Sequence, residues 1–233
     1  MQAYGCLYEK GHRASNQDSI ALHKMITRYG EAVLAVVCDG MGGMEEGETA
    51  SGYVVEEMSC WFYKELPGLL EKRAGKRRIG RALFRKLFNL HLQLKQYGKE
   101  KKIQTGTTVS ILFVTERWYL VCHVGDSAVY RLQGDKIKRL TKIHGDAVST
   151  LERCIGLGKY DSPDLIFGRV KKNMGFLLSS DGFYHRLNVK EISDAFADRP
   201  LASAERIEKR LVALAAKASQ RGETDNISAI YLE

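Results

Sequence analysis

The sequence lacks the features that would place it outside the ordinary globular proteins. Only three of its 233 residues are proline, 44% are hydrophobic and 27% are charged. This composition excludes intrinsically disordered, collagen-like and low-complexity chains, which carry more proline or glycine, or fewer apolar residues. We find no linker and no internal repeat, and we expect residues 1–233 to form a single domain with a sizeable core.

The sequence also lacks an apolar run long enough to cross a membrane. The longest such runs, residues 32–38 and 109–114, are far shorter than the roughly 18 residues that a spanning helix needs. The first ten residues already include Glu9 and Lys10, and they contain no apolar segment followed by a small-residue cleavage site. We therefore expect a cytoplasmic protein without a membrane partner.

Cysteine and histidine are too scattered to predict a disulfide framework or a zinc site. The five cysteines are widely spaced and include no C-x-x-C pair, so we expect reduced thiols in the core. The six histidines show neither the H-x-x-x-H nor the H-E-x-x-H spacing that is typical of zinc-binding helices. The candidate metal ligands that remain are oxygen atoms.

Hydrophobic periodicity predicts a mixture of strands and helices. Short runs rich in β-branched and large aliphatic residues predict eight strands, over residues 31–39, 107–114, 118–124, 127–132, 136–141, 166–170, 176–180 and 226–232. Apolar residues at three- and four-residue steps predict helices over residues 48–66, 77–97, 189–196 and 203–218. We expect Pro67 to end the first helix, Ser203 to cap the last, and Gly134 to form a hairpin turn. This order favours an α+β layered domain over repeated βαβ units.

Positive charge is concentrated in one part of the chain. Lys and Arg outnumber Asp and Glu by 36 to 28, and residues 72–86 (KRAGKRRIGRALFRK) hold the densest basic tract, followed by Lys99, Lys101 and Lys102. Two interpretations stay open, a solvated helix face and a surface for an anionic partner. No RNA- or DNA-binding motif accompanies the tract and few aromatic residues interrupt it, so we do not expect a nucleic-acid partner.

Four aspartates lie beside glycine or asparagine at the ends of predicted strands. They occur in residues 39–43 (DGMGG), 125–127 (GDS), 180–182 (SDG) and 224–226 (TDN). A single Asp-Gly pair is more often a turn than a functional site. Strands that end together would gather these carboxylates at one sheet edge, where they repel one another unless a cation joins them. Carboxylate ligands favour Mg²⁺ or Mn²⁺ over zinc.

Further motifs complete this pattern, namely residues 13–18 (RASNQD), Gly47-Glu48 and residues 106–108 (GTT). Taken in order with the aspartate motifs, they resemble the metal-dependent Ser/Thr protein phosphatases of the 2C type, the PPM family, over nearly the whole chain. Methionine after Asp39-Gly40 is similar to the bacterial branch. The resemblance implies hydrolysis of phosphoserine and phosphothreonine on proteins by a metal-bound hydroxide, without a phosphoenzyme. It also implies a cognate Ser/Thr kinase, and we expect a monomer.

The same resemblance implies a four-layer α+β fold. In this fold a central antiparallel β-sandwich is flanked by helices on both outer faces, and the metal site lies at one end of the sandwich. The helices over residues 48–66 and 77–97 would form an antiparallel pair on one face. The span of residues 144–167 is short for the family, which implies a reduced flap region.

The resemblance further implies a centre with two Mn²⁺ or Mg²⁺ ions and a weaker third. Asp39 would bridge the two ions and act in catalysis, while Asp126 would help to hold the third. Arg13 resembles the catalytic arginine that binds phosphate, for which a guanidinium fork is suited. The implied metal ligands are Asp18, Asp39, Gly40, Asp126, Asp181 and Asp225.

Some positions depart from the family pattern. Met41 replaces a histidine that could protonate the leaving group in many eukaryotic members, so the general acid stays open. The first histidines to consider instead are His12, His123, His144 and His185. Ala128 stands where an arginine often follows Gly-Asp-Ser, and His185 stands four residues after Asp181, where some members have aspartate, which leaves the third metal open. A non-catalytic module on the same fold is an alternative to an enzyme, and the intact Asp39, Asp181 and Asp225 argue against it.

Overall fold

Two antiparallel β-sheets stack face to face in the computed structural model, which describes residues 3–42, 46–146, 150–151, 153–201 and 203–233. The first sheet has the spatial order β1 (Tyr4–Glu9), β13 (Ile227–Leu232), β12 (Met174–Ser179), β7 (Ala128–Gln133) and β8 (Lys136–Arg139). The second has the order β11 (Asp164–Arg169), β6 (Trp118–Val124), β5 (Val109–Thr115), β3 (Gly30–Gly42) and β2 (Asp18–Thr27). The short strand β4 (Thr105–Thr107) pairs with the end of β3, and β9 (Gly145–Asp146) pairs with β10 (Thr150–Leu151).

Helices cover both outer faces of this sandwich. The helices are α1 (Glu46–Lys64), α2 (Leu66–Glu71), α3 (Lys76–Lys101), α4 (Asp181–Tyr184), α5 (Val189–Ala195) and α6 (Ala204–Gln220). Buried residues of α1 and α3 pack on the second sheet, and buried residues of α5 and α6 pack on the first. A third cluster fills the space between the sheets. The predicted four-layer α+β fold with a central antiparallel β-sandwich is confirmed.

Strand β3 shows why a continuous apolar run occurs in an antiparallel sheet. Successive side chains of a strand point to opposite faces. Leu34 and Val36 therefore face the helical layer, while Val33 and Ala35 face the other sheet. Both faces of β3 are covered from Ala32 to Cys38, so the strand has no polar residue between Glu31 and Asp39.

Most predicted elements are confirmed, and several boundaries need correction. The predicted cap is present, because the Ser203 hydroxyl accepts a hydrogen bond from the N–H of Arg206. Gly134 has a φ of +53° between β7 and β8, as the predicted hairpin requires. The first helix ends at Lys64, so the prediction that Pro67 ends it was wrong. Pro67 instead lies in the first turn of α2, where its missing N–H is not needed.

Residues 107–114 do not form the single strand that was predicted, because Thr108 separates β4 from β5 and binds the backbone of Asp39. The strands β1 and β2 were not predicted. Both lie at sheet edges, and half-exposed strands carry a weaker apolar signal. Between β10 and β11, the described residues contain one isolated bridge, from Ile155 to Thr107, which is consistent with a reduced flap.

The remaining structural expectations concern thiols and membrane helices. All five cysteines are free, as predicted, but only Cys38 and Cys122 are fully buried in the core, while Cys6, Cys60 and Cys154 are partly exposed. Among the described residues, no helix is both long and apolar enough to span a bilayer.

Candidate active site

Five aspartates lie at one end of the sandwich, and we refer to them as the five-aspartate cluster. Asp18 begins β2 and lies directly opposite Asp39 of β3 in the sheet register. Asp126 follows β6, and Asp181 begins α4 immediately after β12. Asp225 precedes β13. The described residues of the predicted metal-ligand set are thus brought together, while Gly43 of the 39–43 motif lies outside the described residues.

Two threonines hold the backbone of Asp39. The N–H of Asp39 donates to Oγ1 of Thr108 (2.9 Å), and the carbonyl of Asp39 accepts from the N–H of Thr108 (2.8 Å). The hydroxyl of Thr107 donates to the same carbonyl (2.9 Å). Thr107 and Thr108 therefore support the site rather than act in it. Met41 lies two residues along β3, opposite Gly106 of β4.

Gly40 lies where no side chain fits. Its N–H donates to the carbonyl of Gln17 (3.0 Å). A Cβ at this position would be 2.1 Å from the carbonyl oxygen of Gly47 and 2.6 Å from that of Gln17. The backbone of β3 can approach α1 and the start of β2 this closely only because residue 40 is glycine.

Gly40→Ala is therefore expected to lower the free energy of unfolding by at least about 2 kcal/mol, because the new methyl group would overlap backbone atoms. Denaturant unfolding measures this change. Gly52→Ala is the matched control, since its Cβ would meet only Ser19 Oγ, at 3.9 Å, and alanine is favoured within a helix. Equal stability of the two variants would show that Gly40 is not tightly enclosed.

Asp18 is the most buried member of the cluster, with 1% of its surface exposed. Its Oδ2 accepts from the hydroxyl of Ser180 (2.8 Å), while its Oδ1 is buried without a hydrogen-bond partner among the described residues. Burial raises the pKa of Asp18 to about 7, and repulsion by Asp181 and Asp225 adds to this against the hydrogen bond from Ser180. A buried carboxylate of this kind needs positive charge nearby.

Asp126 is held through its backbone. Its carbonyl accepts from the hydroxyl of Tyr184 (2.8 Å) and from Nη2 of Arg139 (2.9 Å). The Oδ1 atom of Asp126 is buried and has no partner within the described part of the chain. Burial, followed by repulsion from Asp181, raises the pKa of Asp126 to about 6. Its Oδ1 atom is thus available to a ligand while the backbone is fixed.

Asp39 and Asp181 show the same electrostatic stress. Burial raises the pKa of Asp39 well above its usual range, and repulsion by Asp18 and Asp181 adds to the effect. Burial also raises the pKa of Asp181, with Asp225 as the next cause. Two orphaned buried carboxylate oxygens and several raised pKa values fit a site for hard divalent cations, which bind carboxylate oxygen and cancel this repulsion.

The carboxylates nevertheless do not form a closed ligand set. Among the described residues, no group of three or more Asp, Glu, His or Cys side chains is arranged to hold a metal ion as it stands. One member of the cluster is bound elsewhere, because both oxygens of Asp225 accept from the guanidinium of Arg13. The distances are 2.9 Å from Nε to Oδ1 and 2.7 Å from Nη2 to Oδ2. This fork-to-carboxylate ion pair was not predicted from the sequence.

Asn226 fastens the segment that carries Arg13. Its side-chain amide donates to the carbonyls of Lys10 (2.8 Å) and Ser15 (3.0 Å), and its Oδ1 accepts from the N–H of Gln17 (2.8 Å). Gly11, with a φ of +61°, lets this segment lie against Asp225, since a Cβ there would be 2.0 Å from the Asp225 carbonyl oxygen. The sequence analysis included Asn226 only as a motif neighbour of Asp225.

Two histidines that were candidate general acids are already engaged. His144 binds both backbone groups of Gly125, as its Nδ1 accepts from that N–H (3.2 Å) and its own N–H donates to that carbonyl (2.9 Å). Its Nε2 lies 3.2 Å from Oδ2 of Asp164. His123 is buried between Ser110 and Lys142, and burial lowers its pKa to about 4. His144 therefore positions the loop before Asp126, and His123 is neutral at physiological pH.

Comparisons with known proteins find relatives over most of the chain. The family model described as protein phosphatase 2C matches residues 10–218. Protein phosphatase PhpP of Streptococcus pneumoniae is 25% identical over 239 residues, which cover 93% of this chain and 90% of PhpP. Serine/threonine protein phosphatase PstP of Mycobacterium tuberculosis is 26% identical over 95% of this chain and 42% of PstP. The crystal structure of the serine/threonine phosphatase Stp1 from Staphylococcus aureus matches with a TM-score of 0.83 at 24% identity, covering 100% of this chain and 96% of Stp1.

Proposed function

Because the chain belongs to the protein phosphatase 2C family, we propose that it is a metal-dependent phosphatase acting on phosphoserine and phosphothreonine in proteins. The five-aspartate cluster is its proposed active site. The observation that carries this proposal is the convergence of five carboxylates, two of them with buried and unpartnered oxygens, beside the guanidinium fork of Arg13. A purely structural module would gain nothing from such mutual repulsion.

The proposed ligands differ in their roles. Asp39, Asp181 and Asp225 would hold two Mn²⁺ or Mg²⁺ ions, with the carbonyl of Gly40 beside Asp39 and with Asp18 as a buried supporting charge. Asp126 would hold a weaker third ion. When bound, such ions supply a water nucleophile at neutral pH and neutralise phosphate charge. Thr107 and Thr108 keep the backbone of Asp39 in place, and Tyr184 and Arg139 keep that of Asp126 in place.

Arg13 would bind the phosphate of the substrate. A guanidinium offers two parallel N–H donors to a phosphate group as readily as to a carboxylate. Arg13 would therefore exchange the carboxylate of Asp225 for the substrate phosphate, which leaves Asp225 available to the cations. The side chain of Arg13 is 58% exposed, so the exchange needs no rearrangement of the core.

The proposed activity also has implications for the enzyme that makes the substrate and for where the reaction takes place. A phosphate ester of serine or threonine is made by phosphoryl transfer to a hydroxyl group, so a Ser/Thr kinase must act before this enzyme. We propose that residues 1–233 act as one catalytic domain, as a monomer in the cytoplasm, and in signalling that opposes such a kinase.

The decisive experiment measures hydrolysis of p-nitrophenyl phosphate with Mn²⁺, with Mg²⁺ and with a chelator. We expect turnover with at least one of the two ions and none in chelator. Phosphoserine and phosphothreonine peptides should then be hydrolysed faster than the matched phosphotyrosine peptide. Absence of turnover with either ion would favour a non-catalytic module, and turnover in chelator would contradict the metal-dependent reaction.

Arg13→Ala is expected to raise KM by about 10- to 100-fold, because a charge-assisted hydrogen-bond pair contributes about 1.5–3 kcal/mol. The effect on kcat should be smaller if the contact is equal in the ground state and the transition state. Steady-state kinetics on a phosphopeptide measure both constants. Arg28→Ala is the control, since Arg28 lies in the β2–β3 turn at the opposite end of the sandwich. A wild-type KM would remove Arg13 from phosphate binding.

A further inference from the structure

Helix α3 presents a long stripe of basic and apolar residues on its outer face. The residues follow one another at alternating steps of three and four, and the stripe ends at the residue that caps the helix. Phe88 and Leu92, at its centre, are 40% and 48% exposed. The α3 stripe consists of Arg78, Arg81, Arg85, Phe88, Leu92, Lys95, Lys99 and Lys102.

The charges of the α3 stripe are not balanced by the protein. Within the described residues, no carboxylate forms an ion pair with any of its three arginines. On the side of α3 that faces α1, by contrast, Nζ of Lys86 lies 2.7 Å from Glu57 and 3.9 Å from Glu65. Lys86 is therefore neutralised where α3 faces α1, whereas the three arginines of the stripe have no ion-pair partner among the described residues. Lys95 of the stripe donates to a neutral group, the carbonyl of Gly158.

This arrangement weakens the helix that carries it. Like charges three and four residues apart repel one another, as do Arg78, Arg81 and Arg85. The first turn of α3 contains no acidic residue, and its N-cap, Gly75, provides no side-chain cap. Cations at a helix N-terminus oppose the helix dipole. Because this pattern lowers the stability of the helix and provides no structural benefit, it indicates a function for the outer face of α3.

Two open cavities lie at the ends of the stripe. The first, of about 410 Å³, is lined by Leu69, Arg78, Arg81, Ala82 and Arg85. The second, of about 340 Å³, is lined by Lys95, Lys99, Lys102 and residues of the 103–105 and 156–158 segments. Thr105 belongs to β4, which pairs with residues 40–42 of β3. The stripe thus extends from the cavity beside α2 to the cavity beside β4.

We propose that the α3 stripe docks an amphipathic helix of a partner protein, with acidic residues at both ends and apolar residues at its centre. Alternating steps of three and four form the seam between two packed helices. Acidic ends match the two basic cavities, and an apolar centre covers Phe88 and Leu92. A flat lipid surface cannot enter the cavities, and a nucleic acid would leave the central apolar residues unused.

The test is binding of a labelled synthetic helical peptide, measured by fluorescence anisotropy. Its length is about 25 residues, which spans the stripe at 1.5 Å per residue. Glu stands opposite the basic ends of the stripe and Leu opposite Phe88 and Leu92, and a scrambled peptide has the same composition. Vesicles containing phosphatidylglycerol and a short DNA duplex are the competing probes.

Two double variants separate the stripe from net charge. R81E/R85E and K136E/K138E both lower the formal charge from +8 to +4, but Lys136 and Lys138 lie on β8, in the other sheet. We expect R81E/R85E to weaken peptide binding at least about tenfold and K136E/K138E to leave it nearly unchanged. F88S/L92S should also weaken it, and this loss should persist at high salt, where charge pairs are screened.

Several results would overturn the proposal. They are equal binding of the scrambled peptide, equal losses in the two charge-reversal variants, and retention of vesicles or DNA in preference to the peptide. Thermal unfolding of each variant and its hydrolysis of p-nitrophenyl phosphate serve as controls. Hydrolysis should match the wild type, because the substituted stripe residues lie outside the five-aspartate cluster. F88S/L92S should unfold near the wild-type temperature because both side chains are largely exposed, and R81E/R85E should unfold at or above it because the repulsion with Arg78 is removed.

Discussion

Asp39→Asn is expected to reduce hydrolysis of p-nitrophenyl phosphate at least about thousandfold. Asp39 lies at the centre of the five-aspartate cluster and is repelled by each of the other four carboxylates. A neutral amide in its place would hold the proposed divalent cations more weakly, and such ions, when bound, would contribute several kcal/mol of transition-state stabilisation. The measurement is kcat/KM at saturating Mn²⁺.

The fold should survive this substitution. The backbone of Asp39 is held by Thr107 and Thr108, and these hydrogen bonds do not involve its carboxylate. Asp135→Asn is the matched control, because Asp135 is exposed in the β7–β8 turn, away from the cluster. Undiminished turnover of the Asp39→Asn variant, with an intact fold, would show that the reaction does not use this cluster.

The second large effect is the dependence of the free energy of unfolding on pH in the presence of chelator. The pKa of Asp18 is about 7 in the folded protein against an ordinary value of 3.8, so the native state binds more protons than the unfolded chain between these two pH values. Stability must therefore fall as pH rises through this range. The penalty is absent below about pH 4 and complete above about pH 7, and for Asp18 alone it is on the order of 4 kcal/mol.

Comparison with Asp18→Asn removes this titration and, with it, the repulsion that Asp18 exerts on Asp39. His123 acts in the opposite direction over part of the same range, because its pKa is lowered to about 4, but it is present in both proteins and cancels in the difference. The free energy of unfolding of Asp18→Asn, relative to the wild type, should rise by on the order of 4 kcal/mol from pH 4 to pH 8. Urea unfolding at each pH in chelator measures it.

Added metal provides the complementary result. Mn²⁺ should stabilise the wild type at pH 8 more than it stabilises Asp18→Asn, because only the wild type has the buried charge to be neutralised. A difference between the two proteins that does not change with pH would mean that Asp18 titrates equally in the folded and unfolded states. In that case the burial and repulsion described here would have no energetic effect.

The elements that were predicted from the sequence are those whose burial produces a local pattern of apolar residues. The continuous apolar run of β3 and the helical spacing of α3 were identified because the polarity of each residue indicates whether its side chain packs against the core. The strands β1 and β2 lie at sheet edges and expose part of their surface, so their patterns are weaker. The end of the first helix was predicted wrongly at Pro67 because a proline that cannot continue one helix can begin the next.

The candidate site divides in the same way. The local sequence indicated four of the aspartates because glycine or asparagine stands next to each. They are Asp39, Asp126, Asp181 and Asp225. The contacts that determine their chemistry join distant parts of the chain. Arg13 and Asp225 are 212 residues apart, and Asp18 and Ser180 are 162 residues apart. No local pattern encodes such pairs, so the ion pair of Arg13 and the orphaned oxygen of Asp18 became visible only in the folded structure.

The position of β13 in its sheet bears on how the protein is made. Residues 227–232 are inserted between β1 and β12, with Tyr4 opposite Leu232 on one side and Phe176 opposite Leu232 on the other. During synthesis, the edges of β1 and β12 that pair with β13 therefore stay unpaired until residues 227–232 have left the ribosome. The loop carrying Arg13 also has no anchor before Asn226 exists. A nascent chain would thus be inactive and open to edge-to-edge aggregation or chaperone capture until its final strand is inserted.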